Sequence, residues 1–284
     1  MIQTGANIVS VRCFIASIAL VILSNAAFEA SAVETDRQAY ARVLDSFVNQ
    51  EGRVDYAALK QSPEDLNAYL ASVAQLDRAD YQSWSDTEQI AFWINAYNAY
   101  TLKAIIDNYP IQASFFGQFR FPNNSIRQIS GVWDELAWPV MGTPMTLDEM
   151  EHETLRKDFN EPRIHFGVNC ASVGCPLLRT EPYVGERLDQ QLDEQVQAYL
   201  ERPLDFRLNR DEERIYLSKI LDWYGQDFLD AAPATGHFDH LGETERAVMN
   251  FLYPYLDPDQ QAFLREHDVD VSYISYDWSL NEQA

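Results

Sequence analysis

The 284-residue chain carries 44 acidic and 21 basic side chains, a formal charge of −23. A polyanion of this kind is repelled by nucleic-acid backbones and anionic lipid surfaces, so neither is expected as a partner. Hydrophobic residues at 46% and aromatics at 13% exclude disorder and provide for a sizeable core.

Arg12 is the only charged side chain before the apolar run Phe14–Leu23, and Ala30-Ser31-Ala32 follows that run. A positive start, a short apolar stretch and an A-x-A site form a signal-peptide layout over residues 1–32. A spanning helix needs roughly 20 apolar residues, and this run falls well short. Cleavage after Ala32 and release to the periplasm or medium are expected, without stable membrane insertion. Val33–Ala284 then forms one globular domain.

Tyr40, Val43, Leu44, Phe47 and Val48 sit at helical spacing, and Gly52–Tyr56 reads as a short extended piece. Leu66, Tyr69, Leu70, Val73 and Leu76 mark a second helix. Ser85-x-x-Glu88 is a capping box opening a third, which runs to Tyr109 and stops before Pro110. Its apolar residues lie almost all round, so it belongs inside the core. Phe115 to Met145 reads as loops with short strands. Thr146-x-x-Glu149 caps a helix to about Lys157, and Arg163–Asn169 alternates like a strand. Cys170–Arg179 is turn-rich and Glu186–Leu200 helical. A hairpin pairs Phe206–Leu208 with Ile215–Leu217, and helices follow around Leu221–Phe228, Glu243–Leu252 and Asp259–His267. Val271–Trp278 ends the chain as a strand. The expected fold is α+β: a mainly helical single domain with a small sheet and a buried central helix.

Chemistry concentrates in His165-Phe166-Gly167-Val168-Asn169-Cys170-Ala171-Ser172-Val173-Gly174-Cys175-Pro176. Loss of Cys13 with the leader leaves Cys170 and Cys175 in a compartment that permits disulfides. One reading is a structural disulfide. Another makes Cys170 a nucleophile whose thiolate is favoured by turn amides. A third gathers His165, Cys170 and Cys175 around a metal, but a fourth ligand is lacking, so no metal or cofactor is expected.

A nucleophile needs a base. A straight strand, at about 3.3 Å per residue, would carry His165 roughly 16 Å from Cys170. His152, on the capped helix before that strand, is therefore the preferred partner, with Glu151 or Asn95 orienting the ring. Backbone amides of Ala171–Gly174 would form an oxyanion site. Asn98, His165 and Arg179 are candidate substrate contacts. Asn95 and Asn98 share one helix face and could equally tie loops to it. Arg156, Arg163 and Arg179 could hold a substrate carboxylate or pair with the many acidic side chains.

The segments FWINAYNAYTLKAII, TLDEMEHETLR, RIHFGVNCASVGCPLLR, LSKILDWYGQDF and YDWSL resemble the uncharacterised-domain family five-four-seven (domain of unknown function 547). The resemblance spans about Asp45 to Asn281. It implies family positions at Asn95, Asn98, Glu151, His152, Cys170 and Pro176. Plant-type members look to have serine where Cys175 stands and no histidine at His165, which favours Cys170 with His152 as the shared pair. Plant members also carry a leucine-zipper segment that this chain lacks, so no coiled-coil partner is implied.

Two functions follow as expectations. The first is an exported thiol-dependent hydrolase or acyl transferase acting on a peptide-like or amide substrate. The alternative is a non-catalytic envelope binding module braced by a Cys170–Cys175 disulfide.

Overall fold

Helices form where apolar spacing places them. The computed structural model describes Met1 and residues 36–113, 117–232 and 236–284; the apolar run and A-x-A site of the expected leader lie outside these residues. Helix α1 covers residues 36–47, α2 Tyr56–Gln61, α3 Glu64–Gln75 and α4 Arg78–Gln82. Helix α5, Asp86–Asn108, begins at Ser85, whose Oγ accepts from the Glu88 N–H while the Glu88 carboxylate accepts from the Ser85 N–H. Two orphan amides are thereby satisfied and the start of the helix is fixed. From Ile90 onward nearly every α5 residue is buried, as its all-round apolar character requires, and α2 and α3 pack against it.

Strands β1 (Ala137–Val140) and β2 (Thr143–Thr146) pair antiparallel. Their turn is tied to α3 by bonds from Met141 and Gly142 amides to Val73 and Ala74 carbonyls. Thr146 completes a second capping box, with its Oγ1 3.1 Å from the Glu149 nitrogen. The helix it opens is α6, Leu147–Met150, which widens into a π turn over Glu151–Leu155 before α7, Arg156–Asp158. Such single π turns often mark functional sites, and this one begins at Glu151 and His152.

The segment Arg163–Asn169 is not a strand. Ile164–Gly167 forms a helical turn, α8. In a strand Ile164 and Phe166 would share one face, whereas in a helix they point about 200° apart. They enter different hydrophobic clusters: Ile164 joins the one around α5, and Phe166 the one holding Phe228, Leu217 and Met249. The alternation in the sequence misled because His165 and Gly167 are buried too. Gly167 faces Ile94 and Tyr183 so closely that a Cβ there would lie 3.2 Å from the Tyr183 hydroxyl.

Helix α9 is Leu188–Leu200. Strands β3 (Phe206–Asn209) and β4 (Arg214–Ser218) form the expected hairpin. Helices α10 (Lys219–Trp223), α11 (Gly225–Ala231), α12 (Glu243–Leu252) and α13 (Pro258–Glu266) then supply the long crossover a parallel partner needs. That partner is β5, Asp270–Ile274, paired parallel to β4. The terminal strand thus ends at Ile274, short of the expected Trp278. The fold is mainly helical α+β with two small sheets. Among the described residues no helix is long and apolar enough to cross a membrane.

Candidate active site

A cleft of about 590 Å³ opens between α5, the π turn, the 170–175 loop and the C-terminal segment. Glu151, His152, His165, Cys170 and Cys175 all line it, so the structure gathers five of the residues singled out in the sequence.

The cysteine loop is built by amides of side chains and main chain. Asn98 donates from Nδ2 to the Gly167 carbonyl at 3.0 Å and accepts from the Asn169 N–H at 2.8 Å. This clamp bends the chain between α8 and Cys170. Asn169 in turn bonds the Pro176 carbonyl and the Ala171 N–H, at 2.7 and 2.9 Å. Ala171 is held at φ 57°, in the left-handed region, a conformation costing an L-residue about 1–2 kcal/mol. Cys170 and Cys175 are joined as a disulfide with Cα atoms 6.1 Å apart; Cys170 is half-buried and Cys175 buried. Arg202 holds the far side of the loop, donating to the Cys175 and Val173 carbonyls, each at 2.8 Å. With the sulfurs bonded to each other, they and His165 do not form a metal ligand set.

Three of the four loop amides expected to form an oxyanion site are already bonded. Ala171 N–H is taken by Asn169, Val173 N–H by Ser279 O and Gly174 N–H by Asp277 O. Hydroxyl groups face the sulfur instead: Ser172 Oγ at 3.2 Å and Tyr276 Oη at 3.1 Å from Cys170 Sγ. Tyr276 arrives because segment 277–279 pairs with the loop across Gly174, where a Cβ would lie 3.0 Å from the tyrosine ring. Burial pushes the Tyr276 phenol well above its ordinary range, so it stays a donor.

The two histidines differ sharply. His152 is engaged at Nδ1, with Arg156 Nη1 2.8 Å away, while its Nε2 lies 3.7 Å from Asp148 Oδ1, beyond hydrogen-bond distance. His165 is 1% exposed, lies flat on the Tyr224 ring with centroids 4.0 Å apart, and places Nε2 2.7 Å from Asp227 Oδ2. Asp227 is gripped bidentately by Arg156, at 2.6 and 2.7 Å. Burial pushes the Asp227 carboxyl up, but the bonds from Arg156 and His165 outweigh it and hold it well below the usual carboxylate range. An ionised Asp227 accepts the Nε2 proton, so the neutral ring keeps a lone pair on Nδ1. That Nδ1 is buried and has no hydrogen-bond partner among the described residues, a deficit of about 1–3 kcal/mol that asks for an explanation.

Glu151 is also buried, and burial together with its charge pushes the Tyr97 and Tyr224 phenols well above the ordinary phenol range. Trp133, Trp223, Tyr276 and Trp278 wall the cleft. Asp227, Tyr224, Tyr276 and the tryptophans were not read from the sequence as site residues, although LDWYGQDF and YDWSL carry them as unusually aromatic stretches.

Other expected residues are placed elsewhere. Asn95 lines a different cavity and bonds both main-chain groups of Tyr183, at 2.8 and 2.9 Å; it ties a loop to α5 and orients no imidazole. Asn98 is the clamp described above, not a ligand contact. Arg179 pairs with Glu181 and Glu194 at 2.6 and 2.9 Å, and Arg163 pairs with Glu161, Asp189 and Asp193. With Arg156 on Asp227, none of the three arginines is open to a substrate carboxylate.

No curated protein and no solved structure matches the chain. A family model described as "Protein of unknown function, DUF547" matches residues 81–200, the stretch that holds α5, Glu151, His152, His165 and both cysteines. Over those residues the chain is similar to the DUF547 family.

Proposed function

We propose that the cleft performs thiol-dependent acyl transfer or hydrolysis on an amide or peptide-like substrate once the Cys170–Cys175 bond has been opened by a dithiol reductant. The observation that carries this reading is the unpartnered Nδ1 of His165, backed by Asp227 and lining the same cleft as Cys170. In the reduced protein His165 Nδ1 takes the Cys170 proton, and the thiolate attacks the acyl carbon. The Tyr276 and Ser172 hydroxyls stand beside the sulfur as donors to the developing oxyanion. The imidazolium returns its proton to the leaving amine, and water or a second amine then releases the acyl group. His165 suits the proton-transfer role better than His152, because Arg156 donates to His152 Nδ1 and so takes the one lone pair a neutral ring would offer.

A second reading, the binding module, draws support from the disulfide itself and from the Arg202 bonds that fix its loop. The expected leader places either activity in the cell envelope. Hydrolysis of a panel of N-acyl amides and esters, measured with and without dithiothreitol, separates the two. The catalytic reading expects turnover only after reduction and none from Cys170→Ala or His165→Ala. Ligand binding that is indifferent to reduction, with no turnover of any panel member, would favour the module.

A further inference from the structure

Arg127 lies on the turn Ile126–Gln128, held by its N–H bond to Ser125 Oγ at 3.2 Å. Its guanidinium carbon stands 4.6 Å from the centre of the Phe121 ring, 5.2 Å from Trp278 and 5.3 Å from Trp133. Trp133 and Trp278 also meet edge to face, with centroids 6.2 Å apart, so the rings form one aromatic wall around the cation. A guanidinium over an aromatic face is attracted by the negative face of the ring. Together these contacts restrain a side chain that would otherwise be mobile.

The rings leave its hydrogen-bonding capacity unused. Among the described residues the Arg127 guanidinium has neither an ion pair nor a hydrogen bond. Arg156, Arg163, Arg179 and Arg202, by contrast, each face a carboxylate within 3.0 Å. Arg53 and Arg78 also lack a carboxylate partner among the described residues, but neither lines the cleft. Among the described residues Arg127 is the one arginine or lysine lining the cleft, and it is exposed to solvent. Five N–H donors in a rigid plane match a carboxylate bidentately.

We propose that Arg127 docks a carboxylate of the substrate, so that the ligand class is an N-acylated amino acid or short peptide with a free C-terminal carboxylate. This rests on the acyl-transfer reading for its chemistry, but the docking itself does not require Cys170. The ligand's apolar side chain lies against Trp278, Tyr276 and Trp223, which are in mutual contact at centroid distances of 4.5–5.9 Å. Asp134, Asp148 and Glu151 on the same cleft repel a doubly charged phosphate more than a single carboxylate.

The test uses the full chain carrying Cys170→Ala, with N-acetyl-L-phenylalanine and its carboxamide as probes, followed by quenching of tryptophan fluorescence. A bidentate charged bond contributes about 1.5–3 kcal/mol, so the carboxylate should bind roughly tenfold to hundredfold more tightly than the carboxamide. Arg127→Gln should erase that gap while leaving carboxamide binding unchanged, which also shows the cleft intact. Arg127→Lys should restore only part of it. Equal binding of the two probes, no binding of either, or a gap that survives Arg127→Gln would overturn the proposal. Because Cys170 is absent from the assay, a gap that Arg127→Gln erases, found alongside inert wild-type protein, would count against the thiol chemistry alone.

Discussion

Asp227 Oδ2 lies 2.7 Å from His165 Nε2, joining residues 62 positions apart in the chain. Arg156 fixes the same carboxylate from the other side, so the imidazole is oriented at one nitrogen and left open at the other. Asp227→Asn should cost on the order of 3 kcal/mol at neutral pH, because it leaves Arg156 half-buried without its counter-charge. The pH dependence has a definite sign. Asp227 is depressed in the folded protein, so its stabilisation is present above the unfolded value near 4 and is lost as pH falls below it. Urea denaturation of both proteins between pH 2 and 7 should show a gap that closes in acid.

Asp205 should behave oppositely. It is wholly buried, and burial pushes its carboxyl up to about 7 even though Arg202 lies 2.9 Å away. A carboxyl raised in the folded state stabilises fully below the unfolded value near 4, and that contribution disappears as pH rises through about 7. Relative to Asp205→Asn, the wild type should therefore lose stability across this window, by a few kcal/mol on the order expected for a shift of this direction and size. Parallel denaturation curves at pH 4 and pH 8 check it; a gap between the two proteins that does not change with pH would contradict it.

The helix starts are testable separately. Ser85→Ala and Thr146→Ala should each cost about 0.5–2 kcal/mol, read from denaturation midpoints. The Thr146 change should also alter Cys170 reactivity in reduced protein, because the π turn carrying Glu151 and His152 follows directly from that cap. The Ser85 change should leave that reactivity unaltered.

Sequence legibility followed the range of the forces involved. The caps at Ser85 and Thr146, the buried run of α5 and the β3–β4 hairpin are set by residues within a few positions of each other, and all were readable. The stretch Arg163–Asn169 was misread because its burial is imposed from two sides, by Ile94 and Tyr183 on one and Phe228 on the other. That error also set His165 aside, since the 16 Å estimate assumed an unbroken strand. The grouping of Glu151, His152 and Cys170 was legible from neighbouring segments. The contributions of Asp227, Tyr276 and Trp278 were not, because they arrive through contacts spanning 62 to more than 100 residues. Arg127 gave no local signal either; its significance lies in its place on the cleft beside Trp133 and Trp278.

Asn98 offers a test of positioning. Its amide bridges Gly167 O and Asn169 N, which sets the bend between His165 and Cys170. Asn98→Ala should cost about 1–3 kcal/mol through two buried groups left unpaired. Near-identical stability and unchanged Cys170 reactivity would show that the bend is held by other contacts.

The central claim, that His165 activates Cys170, is tested most directly by the pH profile of Cys170 alkylation in reduced protein, resolved from Cys175 by peptide mass analysis. An activated thiolate should give a rate that levels off well below the ordinary thiol value of about 8.5, and His165→Ala should return the inflection towards that value. An inflection at or above about 8.5 in the wild type, unmoved by His165→Ala, would contradict the account.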